Sequence, residues 1–409
     1  MKLKNLLVLT SFFLVLQAFG HIKPEDKVTE KPQVIILNLS STLWSGITTH
    51  VLNLYKTLEK NGYPVAIFSN KSSPSRLNQA LKELNTSIQQ DSELLGFLEN
   101  ICKQNKQVFI LCNKREDLIR AQKIKRSLSS YSSSFSSTGL PIKIIFFQHM
   151  DDIQNIHNVQ ELKDINCVVG ISQNLVDTFN TLNTEHNLTI QKIVSMQPFF
   201  DEERFLNFST TQTQKLFFKQ EFNIDTQDLP VICSIGNMYS NLNFKNHPLL
   251  FKAVRKIIVE KKKPMHLILV GSGARMEYLK KMARELEINN FVHFVGFSQK
   301  TPDILYHSDF HVLASSNESF GIVHLEAGLM KKPSIGATGT GAESIIRHES
   351  TGLLFENNNL DDLAEKIELL IDQPSYRKIL GNNAYYKIQE NFSNSANLLK
   401  LEQIFKSIV

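Results

Sequence analysis

Short apolar runs alternate with amphipathic helical stretches in two series along this chain, and nothing else in the sequence constrains its fold so tightly. Val34-Ile35-Ile36-Leu37 reads as a buried strand that ends in a Ser/Thr-rich turn containing Gly46. From Thr48 a helical period sets Val51, Leu52, Leu54, Tyr55 and Leu58 on one face, Asn61-Gly62 stops it, and Val65 to Phe68 opens the next strand. A strand, a helix and a strand in so short a span make a right-handed βαβ unit, which requires a parallel sheet. The pattern recurs through Val108 to Leu111, a helix from Leu118 to Leu128, a strand from Ile142 to Phe147 ending at Gln148-His149, and a strand from Cys167 to Ile171. The serine-dominated run from Ser127 to Thr138 lacks a core pattern and reads as a loop.

Residues 197–205 break the alternation, and a second series starts at Pro230. Its strands are Val231 to Gly236, His266 to Val270, Val292 to Gly296 and Phe310 to Leu313, with helices over Pro248 to Val259 and Met276 to Leu286. A length of 409 residues is long for one core. The expected fold is therefore α/β, with two Rossmann-like doubly wound domains facing a cleft: residues 32–200, residues 201–385, and a C-terminal helical segment, 386–409, returning towards the first domain. Open α/β sheets bind ligands at the carboxyl ends of their strands.

The net charge of +5 is too mild to imply a nucleic-acid partner. Basic residues cluster at Arg115, Arg120, Lys123, Lys125 and Arg126, and again at Lys252, Arg255, Lys256, Lys261, Lys262 and Lys263. Solvated helix faces are the plainer reading; peripheral contact with an anionic membrane is the sharper one. Of the four cysteines, Cys112, Cys167 and Cys233 sit in apolar runs and read, with Cys102, as free core thiols. Lys2 and Lys4, the apolar stretch Leu6 to Leu16 and then Ala18-Phe19-Gly20 have the form of a secretory signal or short anchor over residues 1–20. Export or membrane association is expected, with a cytoplasmic location the alternative. Asn70, Asn85, Asn187, Asn207 and Asn391 each open a glycosylation triplet.

The segment Ser315 to Gly328 (SSNESFGIVHLEAG) carries the chemistry. It leaves a buried strand and opens a helix, with Glu318 in the loop and Glu326 about two turns in. Amides from Ser319 to Val323 then lie at a helix N-terminus, where open donors and a partial positive charge attract phosphate. Carboxylates only accept hydrogen bonds, so the two glutamates suit sugar and ribose hydroxyls beside that phosphate.

Glu318, seven residues, then Glu326, with Phe320-Gly321 after the first, resembles the retaining GT-B transferases of glycosyltransferase family 4. Lys332-Pro333, Gly339-Thr340-Gly341-Ala342-Glu343, Thr351 to Phe355, Val270 to Gly273 and Gly296 continue the likeness. It covers residues 230–395 well and 33–200 more loosely. The resemblance implies a hexose-type transferase that uses a nucleotide-diphosphate sugar, retains configuration and needs neither metal nor cofactor. It implies that Glu326 holds the donor ribose, and that Glu318 with the backbone of Ser319, Phe320, Gly321 and Ile322 meets the sugar and phosphates. Lys245 would be the phosphate lysine, Gly46 would lie in a loop near the diphosphate, and His149 would face the sugar across the cleft. The acceptor, whether saccharide, lipid-linked or protein, is left open.

Asn237 stands where the family usually has Arg, which removes one bidentate phosphate contact. A catalytically weak or inactive nucleotide-sugar-binding protein is therefore the alternative; an epimerase or phosphorylase on the same architecture fits less well. Gly271-Ser272-Gly273 does not make a dinucleotide fingerprint, since Met276 stands where a third glycine belongs.

Overall fold

The computed structural model describes residues 31–37, 46–69, 88–90, 93–104, 106–130, 141–149, 159–238 and 245–408. Seven strands, β1 (Gln33–Leu37), β2 (Val65–Ser69), β3 (Ile88–Gln90), β4 (Val108–Cys112), β5 (Ile142–Gln148), β6 (Cys167–Gly170) and β7 (Lys192–Ser195), lie in the order β3-β2-β1-β4-β5-β6-β7. A second sheet holds β8 (Val231–Ile235), β9 (His266–Val270), β10 (Val292–Gly296), β11 (Phe310–Val312), β12 (Ser334–Ala337) and β13 (Gly352–Phe355) in the order β10-β9-β8-β11-β12-β13. Every neighbouring pair is parallel. Both sheets are doubly wound, and the winding reverses between β1 and β4 and between β8 and β11. Such switch points open a crevice at the strand ends.

Central strands are buried along their whole length, as β4 and β9 are, because helices cover both faces. The edge strands β3 (IQQ) and β7 (KIVS) have no continuous apolar run, so periodicity gives no sign of them. Two local expectations change. The turn containing Gly46 is the first turn of the helix Gly46–Lys60, so Gly46 opens a helix rather than sitting in a loop. Ser127 to Ser130 complete the helix Arg115–Ser130, where the hydroxyls of Ser127 and Ser129 donate to the carbonyls of Lys123 and Lys125 four residues back. The rest of the serine run lies outside the described residues, as do residues 1–20, Asn70 and Asn85. Among the described residues no helix is long and apolar enough to cross a membrane.

Much of the basic charge is paired. Arg115 and Arg126 bond Glu161 and Asp164, while Lys256, Lys261 and Lys263 reach Asp361, Glu368 and Asp372 on the helix Leu360–Asp372. The four cysteines are buried free thiols.

The last helix, Asn394–Ser407, packs on the first sheet rather than the second. Leu398, Leu401, Ile404 and Phe405 join Val34, Phe109 and Val51 in one core, with the Phe405 ring stacked 4.1 Å from that of Phe109. The chain thus passes between the sheets twice, near residue 200 and near residue 393. Asn394 ties the two passages together: its Oδ1 accepts from Phe200 N at 3.2 Å, its Nδ2 donates to Phe200 O at 2.8 Å, and its own N–H donates to Glu202 Oε2 at 2.9 Å. Asn394→Ala leaves the Phe200 N–H buried without its acceptor, while the Phe200 carbonyl keeps the Glu202 N–H at 2.9 Å. The expected loss is about 2 kcal/mol, measured as a lower urea midpoint, whereas Asn391→Ala at the exposed end of the preceding helix leaves the midpoint in place.

Candidate functional site

Loops from β8, β9, β11 and β12 meet at one end of the second sheet, and glycines let their backbones touch. Gly271, at φ +140°, lies against Gly236 so closely that a methyl on it would fall 1.9 Å from the Gly236 carbonyl oxygen. Met238 N donates to Ser272 O at 2.9 Å and Arg275 N to Met238 O at 3.0 Å, which locks the first two loops together. A methyl on Gly341 would lie 2.3 Å from Ser319 O and 2.5 Å from Phe320 Cα, and Gly341 N donates to Glu318 O at 2.6 Å. The β12 loop is therefore the floor beneath Ser319 and Phe320.

The Lys245 stem runs over Gly236, where a methyl would meet its Cδ and Cε at 3.5 Å. Its Nζ reaches Glu318 Oε2 at 2.5 Å, and Ser315 Oγ donates to the same oxygen at 3.3 Å. Lysine and glutamate are each half-buried and span the switch point between the loops after β8 and β11. Gly321 then takes φ +87° as N-cap of the helix Ile322–Leu329, and no side chain caps that helix. Its leading amides lie beside Glu318, whose Cγ would be 3.3 Å from a Gly321 methyl. Ile322 opens the helix, half-buried, whereas the Phe320 ring is buried in the core, leaving this residue's backbone to the site.

Because the helix begins only at Ile322, Glu326 stands one turn in, not two. Its carboxylate is half-buried and bonds to no described group. Burial pushes its pKa up to about 7, opposed by Arg204 and assisted by Asp201, both in the junction between the domains. Asn237 is exposed directly after Gly236 and makes no hydrogen bond with a described residue.

Three histidines around the Lys245–Glu318 pair escape a reading by motif. His311 and His324 are buried with ring centroids 5.4 Å apart, and neither nitrogen of His324 has a partner among the described residues. Burial lowers His324 to about 4, with Glu318 raising it and Lys245 lowering it. Burial likewise holds His311 well below its usual value and brings His247 to about 4, there with the charges of Lys245 and Arg275 adding to the effect. All three are neutral near pH 7, so the positive charge at this end of the sheet belongs to Lys245 and Arg275.

His149 stands at the end of β5 in the first domain. Its Nε2 lies 3.3 Å from Asn113 Oδ1, and its ring centroid is 4.7 Å from that of His50, which the helix opened by Gly46 carries. His50 Nδ1 accepts from Phe199 N at 3.0 Å. Among the described residues no hydrogen bond or ion pair joins His149 or Gly46 to Glu318, Lys245 or Glu326. Asn113 follows the apolar run VFILC directly, which is the one sequence signal that would have found it.

Residues 215–387 match the family described as Glycosyl transferases group 1. N-acetyl-alpha-D-glucosaminyl L-malate synthase of Bacillus anthracis is 27% identical over 277 residues, which is 66% of this chain and 69% of that protein. Other curated glycosyltransferases match over 34% to 61% of their own lengths. Among solved structures, a glycosyltransferase of Rickettsia africae superposes with a TM-score of 0.74 at 19% identity, covering 92% of this chain and 98% of that one. Anabaena HepE in complex with UDP gives a TM-score of 0.72 at 16% identity, over 92% and 100%. These likenesses extend across both domains and establish the GT-B fold.

Glu326 has a consequence for stability. A carboxyl raised in the folded state favours folding in its protonated form, so its ionisation costs stability as pH rises above the unfolded value and through about 7. Glu326→Gln is expected to raise the melting temperature of the ligand-free protein at pH 8 by about 3 °C, and to change it little at pH 5. A lower melting temperature at pH 8 would contradict this.

Proposed function

From a chain whose residues 215–387 match the group 1 glycosyl transferases and whose two domains form the GT-B fold, we infer a glycosyltransferase that moves a hexose from a nucleotide-diphosphate sugar to an acceptor hydroxyl with retention. One observation carries this reading: the Lys245–Glu318 pair sits beside the uncapped start of the helix Ile322–Leu329, with Glu326 unpartnered one turn on. The helix amides and Lys245 would take the diphosphate, because both offer donors and positive charge. Glu326, an unsatisfied acceptor, would take the ribose hydroxyls. Glu318 would turn from Lys245 to the hydroxyls of the transferred sugar, and His149 would meet that sugar from the first domain.

The chemical step exchanges one bond at the anomeric carbon. The bond to the diphosphate oxygen breaks, the acceptor oxygen bonds to the same face, and the acceptor proton passes to the departing phosphate. No protein nucleophile enters. The charge that builds on the leaving diphosphate is met by Lys245 and the helix start, so this reading assigns the task to no metal or cofactor. We assign residues 1–20 to export or membrane association.

Asn237 favours a second reading, a nucleotide-sugar-binding protein with weak turnover, because no guanidinium follows Gly236. Arg275 supplies a second cation at this end of the sheet, where its charge and that of Lys245 both reach His247.

A thermal-shift screen over nucleotide diphosphates and nucleotide sugars, followed by assay of nucleotide release, separates the two. Glu326→Ala is expected to weaken donor binding by about 10- to 100-fold, the worth of charge-assisted hydrogen bonds. Lys245→Ala is expected to lower turnover by about 100-fold. Saturable donor binding with no release over a broad acceptor panel would favour the weak-turnover reading; absence of any nucleotide binding would remove both. Donor affinity in the wild type should also fall as pH drops through about 7, where Glu326 gains its proton, and Glu326→Gln should flatten that dependence.

A further inference from the structure

Asn113 occupies in the first sheet the place that the Lys245–Glu318 pair occupies in the second, across the switch point. It is buried at the end of β4, and its Nδ2 donates to Leu37 O at 3.3 Å at the end of β1. A carbonyl oxygen only accepts, so this bond fixes which way the amide points. Its Oδ1 is then the atom that faces His149 Nε2 at 3.3 Å. An amide oxygen also only accepts, so His149 Nε2 must carry a proton.

The other ring nitrogen follows by difference. Burial lowers His149 to about 4, so the imidazole is neutral near pH 7 and holds one proton. Nδ1 is therefore a bare acceptor, and no described group engages it. His50 lends no competing acceptor on this side. Its Nδ1 is occupied by Phe199 N–H, which puts its own proton on Nε2. Asp117 Oδ2 accepts the Asn113 backbone N–H at 3.2 Å and so steadies the asparagine rather than the histidine.

We propose that Asn113 is a positioning residue that holds His149 as the neutral Nε2–H form, so that Nδ1 accepts from a hydroxyl of the transferred sugar and the site selects neutral hexoses over hexuronates. This rests on the reading that His149 meets the sugar. A hydroxyl can donate to Nδ1. A hexuronate carries a carboxylate in place of the C6 hydroxyl, and a carboxylate has no proton to give, so two acceptors would face each other.

The test has two arms, chosen so that they fail separately. In the first, long-range proton–nitrogen correlation on the full 15N-labelled chain reads the protonation of His149 directly, assigned by the signal lost in His149→Gln. The expected spectrum at pH 7 has a protonated Nε2 and an unprotonated Nδ1. Asn113→Leu should mix the two tautomers, and Asn113→Asp should raise the titration midpoint of His149 by placing a carboxylate on Nε2. A wild-type His149 protonated on Nδ1, or on both nitrogens, overturns the proposal without regard to activity. In the second arm, UDP-glucose is compared with UDP-glucuronate, and GDP-mannose with GDP-mannuronate. The neutral donor should be favoured by about 100-fold in kcat/KM or affinity, falling by about 10-fold in Asn113→Asp. Equal use of both donors overturns the selectivity. Failure of every donor to bind refutes the transferase reading, and with it the selectivity, while the tautomer stands or falls on the first arm.

Discussion

Parallel pairing is the constraint from which the rest of this structure follows. When every strand runs the same way, every connection must return across a face, and every strand delivers its carboxyl end to one edge of the sheet. The helices that make those returns bury both faces, so polar chemistry is confined to that edge. Where the winding reverses, the helices leave in opposite directions and the edge opens. Each domain fills its opening with a polar bridge between the loop or strand end of its first strand and that of its fourth: Lys245 to Glu318 in one, Leu37 through Asn113 to His149 in the other. The two bridges differ in kind. The first is charged and faces a helix start, which suits phosphate; the second is neutral, which suits a sugar.

Glycine supplies the tolerance on which the charged bridge depends. Gly271 is bare so that its own loop can close on Gly236, over which the Lys245 stem lies. Gly321 and Gly341 hold the Glu318 loop from above and below. Substitution at Gly271 or Gly341 displaces backbone rather than a flexible side chain. That is why glycines and not charges fill so much of the ordered series after residue 230.

The sequence made the central strands legible because they are continuous apolar runs, and the site of the second domain legible because its residues follow those runs at short range. Glu318, Lys245 and Glu326 could be placed this way. Edge strands such as β3 and β7 could not, since half-covered strands need no apolar run. The buried histidines were equally silent: His311 and His324 sit in strand and helix positions where a motif shows an apolar residue, and only contact across the sheet reveals them as a pair. His50 lies beside Val51 on a helix, and its role depends on Phe199, far along the chain. Long-range hydrogen bonds leave no spacing for a sequence reading to find.

The return of the final helix to the first sheet also orders events during synthesis. Domains usually fold as the ribosome releases them, the N-terminal one first. Here the first domain lacks the layer made by Leu398, Leu401, Ile404 and Phe405 until the helix Asn394–Ser407 emerges, so Phe109 and Val34 remain uncovered on that face while the second domain already has its strands and helices in hand. The second domain is complete first although it is made later, and the first is closed by the helix Asn394–Ser407.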